Sequence, residues 1–410
     1  MTEGWTPPGG FPDPSGQSTP PPAYPGPAYP PPAYPGPAYP PPAYPGAAYP
    51  GLAYPPPAYP PPAYPPQAYP AQVPPPVPMP TEPVGYHEVH LGGRRGVWRP
   101  ILGIGGIGAS MILIGPLLAM VPLLVWLAVT GDLSQSEITR LLDLKDPTPA
   151  GLAYLNLALA LLIPAAWLLT WLLHGLKPGW LASVRPRLRW RFFAVCLGLA
   201  VMALVAMILV SLVLPAEGDA AATGELNEFT SKTRDFMLVI LLLTPFQAAG
   251  EEYAFRGYLT QAFGGLFAPL GPAVSRTVAV LAPALLFALA HGLGQSIPVF
   301  FDRFAFGVVA GILVIVTGGL EAGIAMHVLN NFLAFGFALA FGDMGDSLNP
   351  TGGSWWMIPS TLTQSLVYLG LAWFAARKMG LATRAEPAVL AASRGLVYRV
   401  PSAQPPAPQW

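Results

Sequence analysis

Apolar residues dominate the chain from about residue 101 to residue 376, in stretches separated by short polar segments. A helix that crosses a membrane needs about 20 predominantly apolar residues. The pattern predicts eight such helices, at about 101–129, 152–174, 192–215, 235–256, 274–292, 297–317, 320–341 and 356–376. The predicted fold is therefore all-α, a polytopic membrane helix bundle of about eight spans.

Residues 1–98 follow a different pattern, in which Ala-Tyr-Pro recurs ten times at a five-residue period, with tyrosines from Tyr24 to Tyr69. Proline at this density is incompatible with helices and sheet ladders, so a disordered tail with local polyproline II structure is predicted. Two interpretations of the tail stay open: a solvated spacer, and a docking segment for a Pro-binding module. The predicted domains are the tail 1–98, a transmembrane domain 99–380 and a C-terminal tail 381–410.

Composition supports the membrane assignment and excludes several other classes. The chain is 53% hydrophobic and only 10% charged, whereas soluble domains carry about 25% charged residues. Its formal net charge is zero, so no nucleic-acid partner is expected. Cys196 is the only cysteine, which excludes an internal disulfide and a Cys-rich zinc site. No apolar signal-peptide core occurs in the first hundred residues, so none is predicted there.

The basic residues beside the predicted spans indicate an orientation, because Lys and Arg concentrate in short cytoplasmic loops. One side would hold Arg94, Arg95, Arg99, Lys177, Arg185, Arg187, Arg189, Arg191, Arg256, Arg276, Arg377, Lys378 and Arg384. The other side would hold only Arg140, Lys145, Lys232, Arg234 and Arg303. The larger set belongs in the cytoplasm by this rule, which places both termini inside.

Two adjacent glutamates, Glu251 and Glu252, interrupt an apolar run that reads TPFQAAGEEYAFRGYL. A carboxylate at membrane depth is costly and is by default a functional hypothesis. Arg256 follows Glu252 at i+4, where the two side chains meet on one helix face. Glu252 and Arg256 are therefore predicted to form a supporting ion pair, which leaves Glu251 as the carboxylate available for chemistry.

Two further apolar helices carry polar groups. Phe287 precedes His291 by four residues, and His327 precedes Asn331 by four, so each pair shares a helix face. Polar groups in hydrocarbon must find partners, and we expect these to converge with Glu251. A carboxylate and one imidazole can remove a proton from water, while the second imidazole and the amide can donate to an oxyanion. Alternatively, Glu251, His291 and His327 could bind zinc.

These motifs, Glu251-Glu252-Tyr253-Ala254-Phe255-Arg256, Phe287-x-x-x-His291 and His327-x-x-x-Asn331, resemble in content and order those of the CPBP family. This family comprises the CAAX-processing and bacteriocin-processing intramembrane proteases, also called the abortive-infection family. The resemblance covers roughly residues 235–345 strongly and the eight-span layout more loosely, and the tail 1–98 lies outside it.

The resemblance implies an intramembrane endopeptidase in the bilayer, and we place it in a bacterial plasma membrane. Glu251 and His291 would activate water, and His327 with Asn331 would stabilise the oxyanion. The substrate would be a membrane-anchored peptide or protein, either a prenylated CAAX protein or a bacteriocin-like peptide. The family is often described as metalloproteases; we expect no cofactor, with zinc as the alternative.

Two other classes compete with the protease. A non-catalytic membrane scaffold could keep the fold and recruit partners through the tail, but intact motifs favour the enzyme. A transporter would use intramembrane charges as an ion site, but no paired repeat of short, broken spans is evident.

The predicted depths do not agree for one residue. Counting about 1.5 Å per residue places Glu251 and His327 at similar depths but His291 near the opposite face. The predicted site therefore requires that the helix before His291 begins beyond the membrane, tilts, or bends at Pro283.

Overall fold

The structure is a computed structural model that describes residues 80–215, 226–292, 294–348 and 352–392. The Ala-Tyr-Pro repeats and residues 393–410 lie outside these ranges, so the predictions made for them stay predictions. Within the described ranges the protein is mainly helical, as the hydrophobic pattern predicts.

The long helices coincide with the predicted spans. In the described residues, six are long and apolar enough to cross a membrane: Trp98–Thr130, Pro149–His174, Trp190–Ser211, Pro272–Ala290, Ile297–Thr317 and Glu321–Phe341. The two remaining predicted spans also form helices, Ser231–Glu252 and Met357–Lys378, each of 22 residues. They fall outside the same limits of apolarity and charge, so the structure supports a multi-pass protein without confirming a count of eight.

The helices in chain order are α1 Trp98–Ala109, α2 Gly115–Thr130, α3 Gln135–Leu141, α4 Pro149–Ala160, α5 Leu162–Leu169, α6 Gly179–Ala182, α7 Trp190–Ser211, α8 Ser231–Glu252, α9 Thr260–Phe267, α10 Pro272–Ala290, α11 Ile297–Thr317, α12 Glu321–Phe341, α13 Met344–Leu348, α14 Met357–Lys378 and α15 Pro387–Ala392. Among the described residues, neighbouring helices are extended by three π-helical segments, Ser110–Ile114, Thr170–His174 and Tyr253–Leu259. Two 3₁₀ helices span Tyr86–Gly92 and Ala268–Leu270. Strands β1 Val84–Gly85 and β2 Arg384–Ala385 pair antiparallel.

Of the helices that carry the polar motifs, α8 packs against α12, and α10 contacts the π-helical segment Tyr253–Leu259 that follows α8. Helix α8 contacts α4 and α12, while α10 contacts α9 and α11. Gly250 allows the close approach of α8 to α4, because a Cβ at this position would lie 2.2 Å from the Leu159 carbonyl oxygen. Small residues at such crossings let helix backbones approach closely in membrane proteins.

A long helical hairpin resolves the depth conflict for His291. The sequence pattern ends the fourth span at about residue 256, but helical structure continues through the π-helical segment and α9 to Phe267. Glu252 lies 15 residues before Phe267, and Phe287 lies 15 residues after Pro272, where α10 begins. Both residues are therefore about 22 Å from the turn of the hairpin. The glutamates and the end of α10 thus come to a common level.

The segment just before the first long helix is packed, which moves the predicted end of the disordered tail. Tyr86 and Val89 are fully buried, the Tyr86 hydroxyl donates to the Leu181 carbonyl, and Val84 of β1 pairs with Ala385 of β2. The predicted boundaries at 98 and 381 thus both cut through packed chain. Short strands and a 3₁₀ turn carry no hydrophobic periodicity, so the sequence pattern did not reveal them.

Truncation should separate the repeats from this packed segment. We expect removal of residues 1–79 to leave the melting temperature unchanged, and removal of residues 1–92 to lower it clearly. Burial of a side chain such as Val89 alone contributes about 1.5–3 kcal/mol. Thermal unfolding of the two detergent-solubilised truncations measures the difference, and equal melting temperatures would contradict the packing role.

Candidate active site

The two glutamates lie at the end of α8, where the helix widens into the π-helical segment Tyr253–Leu259. Both are buried, with exposed fractions of 6% for Glu251 and 0% for Glu252. The Arg256 Nη1 atom donates to Glu252 Oε1 at 2.9 Å, and Arg256 is itself 1% exposed. The ion pair expected from the i,i+4 spacing is therefore formed, entirely inside the protein.

His327 lies between the two carboxylates. Its Nδ1 atom is 3.0 Å from Glu252 Oε1, and its Nε2 atom is 3.6 Å from Glu251 Oε2. Because a carboxylate can only accept, Nδ1 is assigned the proton of the shorter contact. The longer contact exceeds hydrogen-bonding distance, and the buried Glu251 Oε2 atom has no hydrogen-bond partner among the described residues. The Oε2 atom of Glu251 is thus free to accept a further hydrogen bond.

A chain of two amides occupies the other oxygen of Glu251. Asn331 Nδ2 donates to Gln247 Oε1 at 3.0 Å, and Gln247 Nε2 donates to Glu251 Oε1 at 2.6 Å. The Glu251 carboxylate fixes the orientations of both amides. Because the carboxylate can only accept, Gln247 must direct its NH₂ group to Glu251, and the Gln247 oxygen then accepts from the NH₂ group of Asn331. Asn331 therefore directs its NH₂ group towards Gln247, and one of the two N–H bonds of this group is left for another acceptor.

Gln247 was not among the residues predicted for the site. It precedes Glu251 by four residues and is 6% exposed, so it shares the inward face of α8. A polar side chain one turn before an intramembrane carboxylate was the available signal for it.

His291 reaches the site through an aromatic neighbour. Helix α10 ends here because Gly292 has φ 105°, a conformation that favours glycine. The His291 Nδ1–H group donates to the Phe287 carbonyl oxygen at 2.8 Å, which leaves Nε2 as an acceptor. His291 is itself exposed.

Phe287 connects the separate parts of the site. Its ring centroid is 4.6 Å from that of His291 and 6.0 Å from that of His327, and the Arg256 guanidinium lies 4.1 Å from the same centroid. Phe306 of α11, which was not predicted, packs 5.3 Å from His327. The two phenylalanines surround the charged cluster with apolar surface. The structure thus places His327 beside Glu251 and links Asn331 to Glu251 through Gln247. His291 joins them by way of Phe287.

Gly323 of α12 makes room for the buried carboxylate of Glu252. A Cβ atom on Gly323 would lie 2.7 Å from Glu252 Oε2, whereas one on Gly336 of the same helix would meet nothing within 4 Å. We expect Gly323→Ala to displace Glu252 and His327 and to lower any hydrolytic rate by about 10- to 100-fold, since displacements near 1 Å can cost about 100-fold. Gly336→Ala is the matched control and should keep the wild-type rate. Equal rates for both variants would contradict this account.

The donor geometry does not fit a zinc site. Among the described residues, no group of three or more His, Cys, Asp or Glu side chains could hold a metal ion. The Nδ1 contacts of His327 and His291 leave their Nε2 atoms available, so these contacts alone do not decide the question. The remaining predicted residue, Asn331, is an amide that donates to Gln247. A catalytic zinc site usually takes three protein ligands that converge on one point.

Comparison with known families gives a match for part of the chain. Residues 233–333 match the family model described as Rce1-like, the type II CAAX prenyl endopeptidases. The match covers α8 to α12 up to His327 and Asn331, and it therefore includes every residue of the cluster described above. No curated protein matches the chain, and no solved structure matches it.

Proposed function

Residues 233–333 form a domain of the CPBP family, and we propose that this protein hydrolyses a peptide bond of a membrane-associated substrate with water activated at Glu251. The family supports a peptidase in a multi-pass membrane protein. The observation that carries the proposal is the position of His327, whose two ring nitrogens face Glu252 and Glu251. The substrate that the family description favours is a prenylated peptide of the CAAX type.

Charge balance supports a protonated His327. Glu251 and Glu252 carry two negative charges in a buried space, and Arg256 supplies one positive charge. Uncompensated charge is costly in such surroundings, and an imidazolium between the carboxylates makes the cluster neutral. Both ring nitrogens of His327 are then donors.

The proposed reaction begins with the free oxygen of Glu251, which accepts a proton from water while the acceptor Nε2 of His291 orients the same water. The water oxygen attacks the peptide carbonyl carbon, and the carbonyl oxygen becomes negatively charged. Nε2–H of His327 and the remaining N–H of Asn331 donate to this oxyanion. Glu251 then returns the proton to the departing amine, so that the site ends in its starting state.

The cleavage assay uses the purified full chain in liposomes. The probe is a peptide that ends in a prenylated CAAX sequence, and its control is the same peptide without the prenyl group. We expect cleavage of the anchored peptide, with the products identified by mass spectrometry. If neither peptide is cleaved, the proposal that the protein hydrolyses CAAX peptides is contradicted. If both are cleaved equally, the proposal that the substrate needs a membrane anchor is contradicted.

A metal-independent mechanism is part of the proposal, because no group of three or more His, Cys, Asp or Glu side chains among the described residues could hold a metal ion and Asn331 is an amide that donates hydrogen bonds. Protein dialysed against a chelator should cleave the same peptide at the rate of undialysed protein. Inactivation that zinc alone reverses would overturn this part and would leave Glu251, His291 and His327 as candidate ligands.

We also infer eight spans with both termini in the cytoplasm. Helices α8 and α14 are each about 33 Å long, long enough to cross a bilayer, and they pack against apolar neighbours, α8 on α4 and α14 on α7. A cysteine in place of Arg140 should react with an impermeant reagent outside intact cells, whereas one in place of Arg185 should be protected. The reverse result would invert the orientation.

A further inference from the structure

A basic groove, separate from the glutamate cluster, lies between the start of α7 and the end of α14. Its volume is about 690 Å³, and its walls include the arginines of the segment 185–191 and residues 379–382. None of the residues discussed for hydrolysis lines it. Arg185, Arg187, Arg189 and Arg191 are four cations within seven residues, and Trp190 among them is 69% exposed.

One arginine of the four is already paired. Arg189 Nε and Nη2 donate to the two oxygens of Glu321 at 2.8 and 2.7 Å, and Glu321 is fully buried at the start of α12. Arg185, Arg187 and Arg191 differ, because they are exposed and no described carboxylate forms a salt bridge with them. The groove therefore presents three guanidinium groups without an anion.

The backbone that carries these arginines is held in place. The buried Ser183 hydroxyl contacts the carbonyl oxygens of Arg185 and Arg187. Val184 N–H donates to the Gly318 carbonyl at 2.9 Å, which ties the segment to the turn before α12. A site ordered before binding loses less conformational entropy when a ligand arrives.

We propose that this groove binds the phosphate group of an anionic phospholipid. Guanidinium groups bind phosphate through paired hydrogen bonds, and basic pockets at the ends of membrane helices bind acidic headgroups. Met379 and Leu381 give the groove apolar wall beside the arginines. The exposed Trp190 is of the type that lies at the interface between membrane and water.

The binding experiment uses the purified full chain in detergent and short-chain lipids, with dihexanoyl phosphatidylglycerol as the probe and dihexanoyl phosphatidylcholine as the uncharged comparison. The variant replaces Arg185, Arg187 and Arg191 by Gln. We expect saturable binding of the anionic lipid, weakened about 100-fold in the variant, since each basic residue near an anionic lipid contributes roughly fivefold.

A charge-matched control replaces Arg140, Lys232 and Arg234 by Gln. These three are exposed, and each forms an ion pair with a surface carboxylate away from the groove. This control should bind the lipid as the wild type does. Inorganic phosphate provides a second arm: displacement of the lipid at equal concentration would assign the groove to free phosphate, and displacement only at a large excess would assign it to the lipid.

Equal affinity of the triple variant and the wild type would overturn the proposal, as would equally tight binding of the choline lipid. Should the triple variant fail to fold, Arg191→Gln alone and the salt dependence of wild-type binding decide, since a screened cationic site weakens as ionic strength rises. The assay contains no peptide substrate, so its outcome does not depend on the proposed hydrolytic function.

Discussion

Glu251→Gln should abolish peptide hydrolysis while the protein stays folded. The amide keeps the shape of the carboxylate and can still accept the hydrogen bond from Gln247, so the packing around α8 is preserved. It cannot take a proton from water. Loss of a positioned general base lowers rates by about 10²–10⁴-fold. Cleavage of the prenylated peptide in liposomes measures the rate, and thermal unfolding of the same preparation measures stability.

Glu228→Gln is the control for that substitution, because Glu228 is an exposed carboxylate just before α8. It should leave both rate and melting temperature at wild-type values. A fall in melting temperature for Glu251→Gln as large as its fall in rate would assign Glu251 a structural role. A nearly normal rate would remove it from the mechanism.

Arg256→Ala should instead unfold or strongly destabilise the protein. The substitution leaves Glu252 buried with only His327 to compensate its charge, and it removes the guanidinium that lies over the Phe287 ring. Removing one partner of a buried ion pair typically costs about 3–5 kcal/mol. We expect a low yield of folded protein and a clearly reduced melting temperature, together with reduced hydrolysis.

A surface pair of similar geometry provides the comparison. Arg140 donates to Glu137 three residues earlier, on the exposed helix α3. Arg140→Ala should leave yield and melting temperature unchanged, because solvent screens exposed pairs. If Arg256→Ala behaves in the same way, the buried pair does not hold the site together.

The features of the fold and of the site that depend only on the periodicity of a single helix could be predicted from the sequence. Long apolar stretches determine where helices form, and the four-residue spacing determines which side chains share a face. The Glu252–Arg256 pair and the common direction of His327 and Asn331 follow from that spacing alone. Such inferences need no knowledge of how one helix packs on another.

The parts that depend on contacts between helices could not be predicted. Gln247 orients Asn331 only because α8 packs on α12, and Gly323 matters only because Glu252 lies opposite it. The continuation of helical structure to Phe267, which determines the level of His291, was hidden by polar and glycine residues after Arg256. The catalytic roles predicted for the four site residues remain proposals, because the geometry gives the positions of their side chains and not the rate of a reaction.

The pairing of β1 with β2 also constrains the order of events during synthesis. Val84 and its partner Ala385 are separated by about 300 residues, so a ribosome that adds about 5–20 residues per second makes the second strand about 15–60 s after the first. By the end of that interval every long helix of the described residues has been made, and until then the first strand lacks its partner. This short sheet is therefore among the last contacts that can form, and a nascent chain that stalls before Arg384 cannot close it.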